Sequence, residues 1–525
     1  MDFRRVIFFV CIVLFSGCFQ REGQILRIGN AIEPATFDPQ LAPGLAESKI
    51  VTALFEGLFV PDARTLRPVP GMAQSYICSP DGLEYTFFLR DNIFWSNGDP
   101  VVAKDFADAI ERGLAKSIAS PWVDFYFMLK NAQSYYNGEF SSFDYVGAKA
   151  LSSKVLRLTL DRPLDFFPSL LTHWAWLPIN RKAIERSGDF FDRSNRWTQV
   201  KNIVTNGPYL LKSFKVGDKV VVEKNKRYWD ASNITIDYVH FISDISPATE
   251  ENMFLTDRLD ITENVPADKI QFYRTQGILP TAVSLGTSFY WFNCKQKPFD
   301  DVKIRKALSL AVDRDAIGKL RNRGQGFEAY ALVPPGTMNY SSSKFFDNDV
   351  KQAQQLLAEA GYPNGEGFPP ITILYNTSDN WKIISEAVQE MWRKNLKIYV
   401  QLQSIEWGTF LVERRQHKFS ICRGGWVGDY NDASTFLNLL LSNNNNNHAQ
   451  WHSKTYDQML AQASQEKDSL KRSQILLDAE TFMISEMPVI PIYFESMCHL
   501  VSSRIEGWYP NILDWHPIKF IRFQK

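Results

Sequence analysis

Ile371-Thr372-Ile373-Leu374-Tyr375 is followed by a segment that sets Trp381, Ile384, Val388 and Met391 on one side of a helix, and then by Ile398-Tyr399-Val400-Gln401-Leu402-Gln403. Strand, amphipathic helix and strand in this order make a crossover unit, which demands parallel strands and hence an α/β lobe. Working outward, a third strand is expected from Phe419 to Cys422. Its exit, Arg423-Gly424-Gly425-Trp426-Val427-Gly428-Asp429-Tyr430, reads as a glycine-rich loop carrying polar groups just past a strand end. Ligands of open α/β sheets bind at that position.

The remainder alternates between helical and extended patterns. Residues 83 to 100 read as a hairpin, with Leu83 to Leu89 and Ile93 to Trp95 as strands and Asn97-Gly98 as turn chemistry. A helix is expected from about Val102 to Leu114, and strands from Val155 to Leu160 and from Val220 to Glu223. Asp300 or Asp301 can cap a helix with Ile304, Leu308 and Ala311 on one face. A second helix runs from Asn348 to Ala360, ended by Gly361 and Pro363.

The 525 residues carry 58 Lys+Arg against 58 Asp+Glu, so the chain lacks the basic footprint of a nucleic-acid binder. Aromatics are plentiful, with 14 Trp, 20 Tyr and 38 Phe, which suits aromatic-lined pockets as well as a large core. Arg4 and Arg5 precede an apolar run from Val6 to Phe15 that ends at Ser16, Gly17 and Cys18. This is a secretory signal, residues 1–17, and too short for a bilayer that takes about 20 residues to cross. The small-small-Cys junction matches a bacterial lipoprotein site in which Cys18 carries the lipid; ordinary signal cleavage is the alternative. Cys78, Cys294, Cys422 and Cys498 leave disulfides and free thiols equally open.

Motifs of catalysis are missing: there is no GxSxG, P-loop, GxGxxG or HExxH. Ser341-Ser342-Ser343-Lys344 contains SxxK without a KTG partner, and His448 and His452, four apart, follow five asparagines and read as a solvated loop rather than a metal site. No enzyme, metal or cofactor is expected.

Stretches in a fixed order then carry a resemblance: Phe37-Asp38-Pro39, Leu54-Phe55-Glu56-Gly57-Leu58, Pro70-Gly71-Met72-Ala73, Trp95-Ser96-Asn97-Gly98-Asp99-Pro100, Asn206-Gly207-Pro208-Tyr209 with Tyr228-Trp229, Pro298-Phe299-Asp300-Asp301-Val302, Tyr375-Asn376-Thr377-Ser378-Asp379, and Gly425-Trp426-Val427-Gly428-Asp429-Tyr430. From about Leu26 to the C-terminus the chain resembles the bacterial oligopeptide-binding proteins, family 5 solute-binding subunits of peptide ABC importers.

The resemblance implies a two-lobed, periplasmic-binding-protein-like clamp (type II) with an added domain. Lobe I would comprise residues 18–56, 178–283 and 494–525, the inserted domain 57–177, and lobe III 284–493. It implies a monomer, held to a membrane through Cys18 in the periplasm or at the cell surface, that captures short peptides as an added strand and passes them to the permease and ATPase subunits of an importer. Asp429 matches the residue that takes the peptide's α-ammonium, with a helix cap as the alternative role. Arg423 matches a carboxylate-binding arginine, with an internal ion pair as the alternative. Trp407 and Arg414 match pocket-lining positions, and Gly44, Leu45, Trp426 and Val427 lie where the two lobes would meet the peptide. The family histidine is replaced by Trp381, which also fits plain helix packing, and a pocket tyrosine by Trp122; larger aromatics favour shorter or apolar peptides. Cell-wall muropeptides or another small solute are the alternative ligand, and an exported peptidase a remote one.

Overall fold

The structure, a computed structural model, describes residues 23–30, 32–243, 245–322 and 327–524. Cys18 and the signal segment therefore lie outside the described residues. The crossover unit forms as expected, with strand Ile371–Asn376, helix Asp379–Leu396 and strand Val400–Ile405. The strands pair in parallel, Ile371 opposite Val400 through Asn376 opposite Ile405. Ser378 caps the helix, its hydroxyl accepting the Trp381 N–H, and the buried face is Trp381, Ile384, Ser385, Val388, Trp392 and Leu396. Trp392 thus takes the inner position that the spacing gave to Met391, because its Nε1 reaches the Leu308 carbonyl at 2.8 Å inside the core.

This unit is one edge of a six-stranded sheet ordered Phe327–Glu328, Val489–Cys498, Thr281–Phe292, Ile421–Val427, Ile371–Asn376, Val400–Ile405. Two further sheets each have four strands. One joins Ile25–Gly29 in parallel to Tyr238–Ile242, which continues antiparallel through Lys219–Lys224 to Tyr209–Lys215. The other is antiparallel throughout, Ala73–Cys78, Glu84–Leu89, Val155–Thr159 and Ala148–Ser152. One hydrophobic core fills the space around the two four-stranded sheets and a second surrounds the six-stranded sheet. Two lobes result, and Trp515 packs against both cores.

Several local readings need correction. Glu84–Leu89 pairs with Ala73–Cys78 and Val155–Thr159, not with residues 93 to 95; the Asn97-Gly98 turn closes only an isolated bridge between Phe94 and Pro100. Ile93 and Trp95 are wholly buried instead, and Trp95 Nε1 donates to Asp105. Arg423 to Val427, read as loop, continues the strand that begins at Ile421. His448 is buried against the Trp291 ring, so the asparagine-rich loop folds back into the core; His452 is exposed. All four described cysteines are free thiols.

The first core also holds a buried ion pair. Arg112, at the end of helix Ala103–Leu114, meets the Asp38 carboxylate through Nη1 at 2.9 Å and Nη2 at 2.7 Å, and Trp197 Nε1 donates to the same acid at 3.1 Å. Removing one partner strands a charge away from water, so Asp38→Ala is expected to cost about 3 to 5 kcal/mol in urea unfolding; a loss under ~1 kcal/mol would contradict this account of the pair.

Candidate functional site

Strand Ile421–Val427 organises the space between the lobes. Its pleat buries Cys422 and Gly424 and turns Arg423, Gly425 and Val427 to the opposite face. Only glycine fits at 424, since a Cβ there would lie 2.6 Å from the Phe289 ring and from Trp291 Nε1. The strand pairs with Thr281–Phe292 from Ile421 to Val427, but with Ile371–Asn376 only at Ile421 and Cys422. From Arg423 onward its outer edge therefore has no strand partner among the described residues.

At the strand's end Gly428 N–H reaches the Leu285 carbonyl at 2.7 Å, and Thr435 Oγ1 receives both the Asp429 N–H and Trp426 Nε1 at 3.2 Å. These bonds fix the backbone of Asp429 and leave its side chain alone. The carboxylate accepts no hydrogen bond and joins no ion pair among the described residues. Capping falls to Asp432, which accepts the Ser434 N–H at 2.9 Å and is held by Arg472 at 2.7 and 2.8 Å. Asp429 is exposed, its oxygens facing the water of a cavity between neighbouring walls. The partial desolvation of the crevice, with the like charge of Asp124, raises the carboxyl to about 6.

The cavity at Asp429 measures about 520 Å³ and takes walls from both lobes. Gly44, Leu45, Trp122, Phe166 and Trp174 line one side, and Leu285, Met338, Val427 and Tyr430 the other. Trp122 and Trp174 meet edge to face, with ring centroids 5.3 Å apart, and both indole N–H groups donate to the Ala42 carbonyl, at 2.7 and 3.0 Å. Tyr430 stacks on Phe166 with centroids 4.7 Å apart and planes within 2°.

Val427 and Glu495 also line a second cavity of about 450 Å³, whose other walls include Ser288, Asn376, Ser378, Trp381, Arg423 and Trp426. Arg423 Nε donates to Asn376 at 2.8 Å, and its guanidinium lies 4.9 Å from the Trp407 ring and 5.6 Å from that of Trp381. No ion pair of 4 Å or less is seen for it among the described residues, though the Glu495 carboxylate lines the same cavity. Trp381 packs edge to face on Tyr290 at 5.4 Å and also lines this cavity. Trp407 is half exposed and stacks on Phe410. Arg414 lines neither cavity; its Nε is buried without a partner, and burial lowers its pKa.

The sequence gave no hint of the C-terminal contribution. Asp514, which lines the larger cavity, accepts His499 Nε2 at 2.8 Å and His516 Nε2 at 3.0 Å on one oxygen, while His499 Nδ1 bonds the Thr262 carbonyl. Burial opposes ionisation here, but the charge of His499 wins and holds Asp514 well below the usual carboxylate range. Both imidazoles bond that acid, while His516 Nδ1 is buried without a hydrogen-bond partner, so the cluster is a buried polar network with one nitrogen unsatisfied.

The family model for bacterial extracellular solute-binding proteins, family 5, matches residues 67–448. This chain belongs to that family. A family 5 relative, the periplasmic oligopeptide-binding protein OppA of Salmonella typhimurium, is 34% identical over 512 residues, 94% of this chain and 91% of its own length. The unliganded open form of the murein tripeptide binding protein MppA superposes with a TM-score of 0.84 at 33% identity, covering 96% of this chain and 98% of that one. The oligopeptide-binding protein OppAIV of Borrelia burgdorferi gives 0.76 at 35% identity, covering 95% and 100%. The two-lobed clamp is therefore the family 5 fold. Among the described residues, no helix is long and apolar enough to cross a membrane.

Proposed function

We propose that this family 5 protein is an exported receptor that captures short peptides between its lobes and delivers them to the membrane subunits of an ABC importer, without catalysis. The carrying observation is Asp429, a carboxylate in the crevice with no hydrogen-bond or ion-pair partner among the described residues, at the end of a strand whose outer edge is open. A peptide's α-ammonium would supply the missing cation, and its main chain would pair with the edge from Val427 towards Arg423. Four steps along that strand cover about 13 Å, so about four residues of extended peptide bring a terminal carboxylate near the Arg423 guanidinium. Gly44 and Leu45 would close from the opposite lobe, and Trp122, Trp381, Trp407 and Trp426 would wall the peptide's side chains; Arg414 stands behind them. The names of the relatives support this ligand class.

The same reading includes removal of residues 1–17, lipid attachment at Cys18, action as a monomer, and the assignment of residues 18–56, 178–283 and 494–525 to lobe I, 57–177 to the inserted domain and 284–493 to lobe III. Murein peptides are a second candidate ligand, favoured by the likeness to MppA; displacement of a bound tetrapeptide by a murein tripeptide but not by other tripeptides would support them.

Asp429→Asn is expected to weaken a free-amine tetrapeptide by about 2 to 4 kcal/mol in calorimetry and to leave its N-acetylated form unchanged. Equal affinity of the parent protein for both forms would sink the assignment.

The Asp429 carboxyl titrates near 6 when empty, and a bound ammonium lowers that value, so binding releases protons around pH 6. Affinity should fall as pH drops below about 6 and also above about 8, where the α-amine loses its proton. Asp429→Asn should abolish the acidic limb; its persistence in that variant would assign the titration to another group.

A further inference from the structure

The two cavities differ in chemistry. The one at Arg423 is rimmed by Ser288, Asn376 and Ser378. The one at Asp429 is walled by Leu45, Trp122, Phe166, Trp174, Met338 and Trp515. Several of its polar groups are already engaged by the protein itself. Both indole N–H groups serve the Ala42 carbonyl, the Thr172 hydroxyl donates to the Ser169 carbonyl at 2.6 Å, and Asp514 is spent on two imidazoles. The Ser169 hydroxyl turns to Met338 Sδ at 3.4 Å. His173 accepts the Ala175 N–H, and burial lowers its pKa to about 3, so it stays neutral. A group entering beside Asp429 therefore meets mostly ring faces and hydrocarbon, with the carboxylates of Asp429 and Glu495 at the polar side of the lining.

We propose that this cavity selects peptides whose first residue carries a large apolar or aromatic side chain. The proposal rests on Asp429 as the ammonium acceptor, because an ammonium held there puts the first side chain in the same cavity. About 520 Å³ accommodates an indole or phenyl group. A carboxylate would lose water beside the carboxylates of Asp429 and Glu495, with no cationic side chain in the lining to offset them. Selection by the first residue is a property of these walls, since main-chain pairing along the open edge ignores side chains.

The test is calorimetry of the purified protein with tetrapeptides that differ only in the first residue, Phe, Ala or Glu, each also N-acetylated. Phe is expected to bind about tenfold or more tighter than Ala, from burial of the ring, and Glu weakest. Met338→Lys, which sets a cation in the wall, should lower the affinity for Phe and raise that for Glu, reversing the order. Equal binding of the three free-amine peptides, with the acetylated forms weaker, would overturn the selection and leave the role of Asp429 standing. Loss of the acetylation effect would overturn that role and the proposal with it. An unchanged ranking in Met338→Lys would also overturn the selection, because the first side chain would then lie elsewhere.

Discussion

An acid whose charge is disfavoured by its surroundings and met by no cation is a ready acceptor for one, and Asp429 at the mouth of the crevice is such a group. Its backbone is held by Thr435, while its oxygens face an apolar chamber. Partial desolvation and the like charge of Asp124 make the empty site a poor home for negative charge. A cation that arrives between the lobes relieves that strain, and closure would strengthen the attraction by excluding water. Strand edge, aromatic walls and guanidinium are arranged around this need.

The lobes already touch at one rim of the crevice. Tyr430 follows a strand of the six-stranded sheet yet packs against the first core through Phe166. Arg472 grips Asp432 with both arms and reaches Asp165 of the other lobe at 3.3 Å. Trp515 joins the two cores beside the buried network of His499, Asp514 and His516. These contacts leave the chambers at Asp429 and Arg423 open while keeping the lobes in register. The likeness to an unliganded open relative agrees with that geometry, and a ligand bound to both lobes would favour their closed state.

Much of this was legible in the chain, for physical reasons. The crossover from Ile371 declares itself because buried parallel strands and a one-sided helix leave distinct periods in apolar residues. Asp301 does cap its helix, accepting the N–H of Lys303. Asp429 and Arg423 came from ordered motifs, not from periodicity, and spacing alone could not tell an open carboxylate from a cap. Arg423 to Val427 read as loop because two glycines hide a strand, and the tight packing on Phe289 and Trp291 requires the one at 424. Phe166, Trp174 and Trp515 left no signal, since side chains hundreds of residues apart meet only through tertiary packing. His448 misled for the converse reason: a polar asparagine run looks solvated, yet Asn447 binds three backbone carbonyls and carries its neighbour inward.

The most direct test is a crystal structure of the protein with a tetrapeptide. The account predicts the α-ammonium in hydrogen-bond contact with the Asp429 carboxylate and the peptide main chain paired with the strand from Arg423 to Val427. A complex in which the ammonium lies elsewhere, or in which the protein's own side chains fill the space at Asp429, would contradict it.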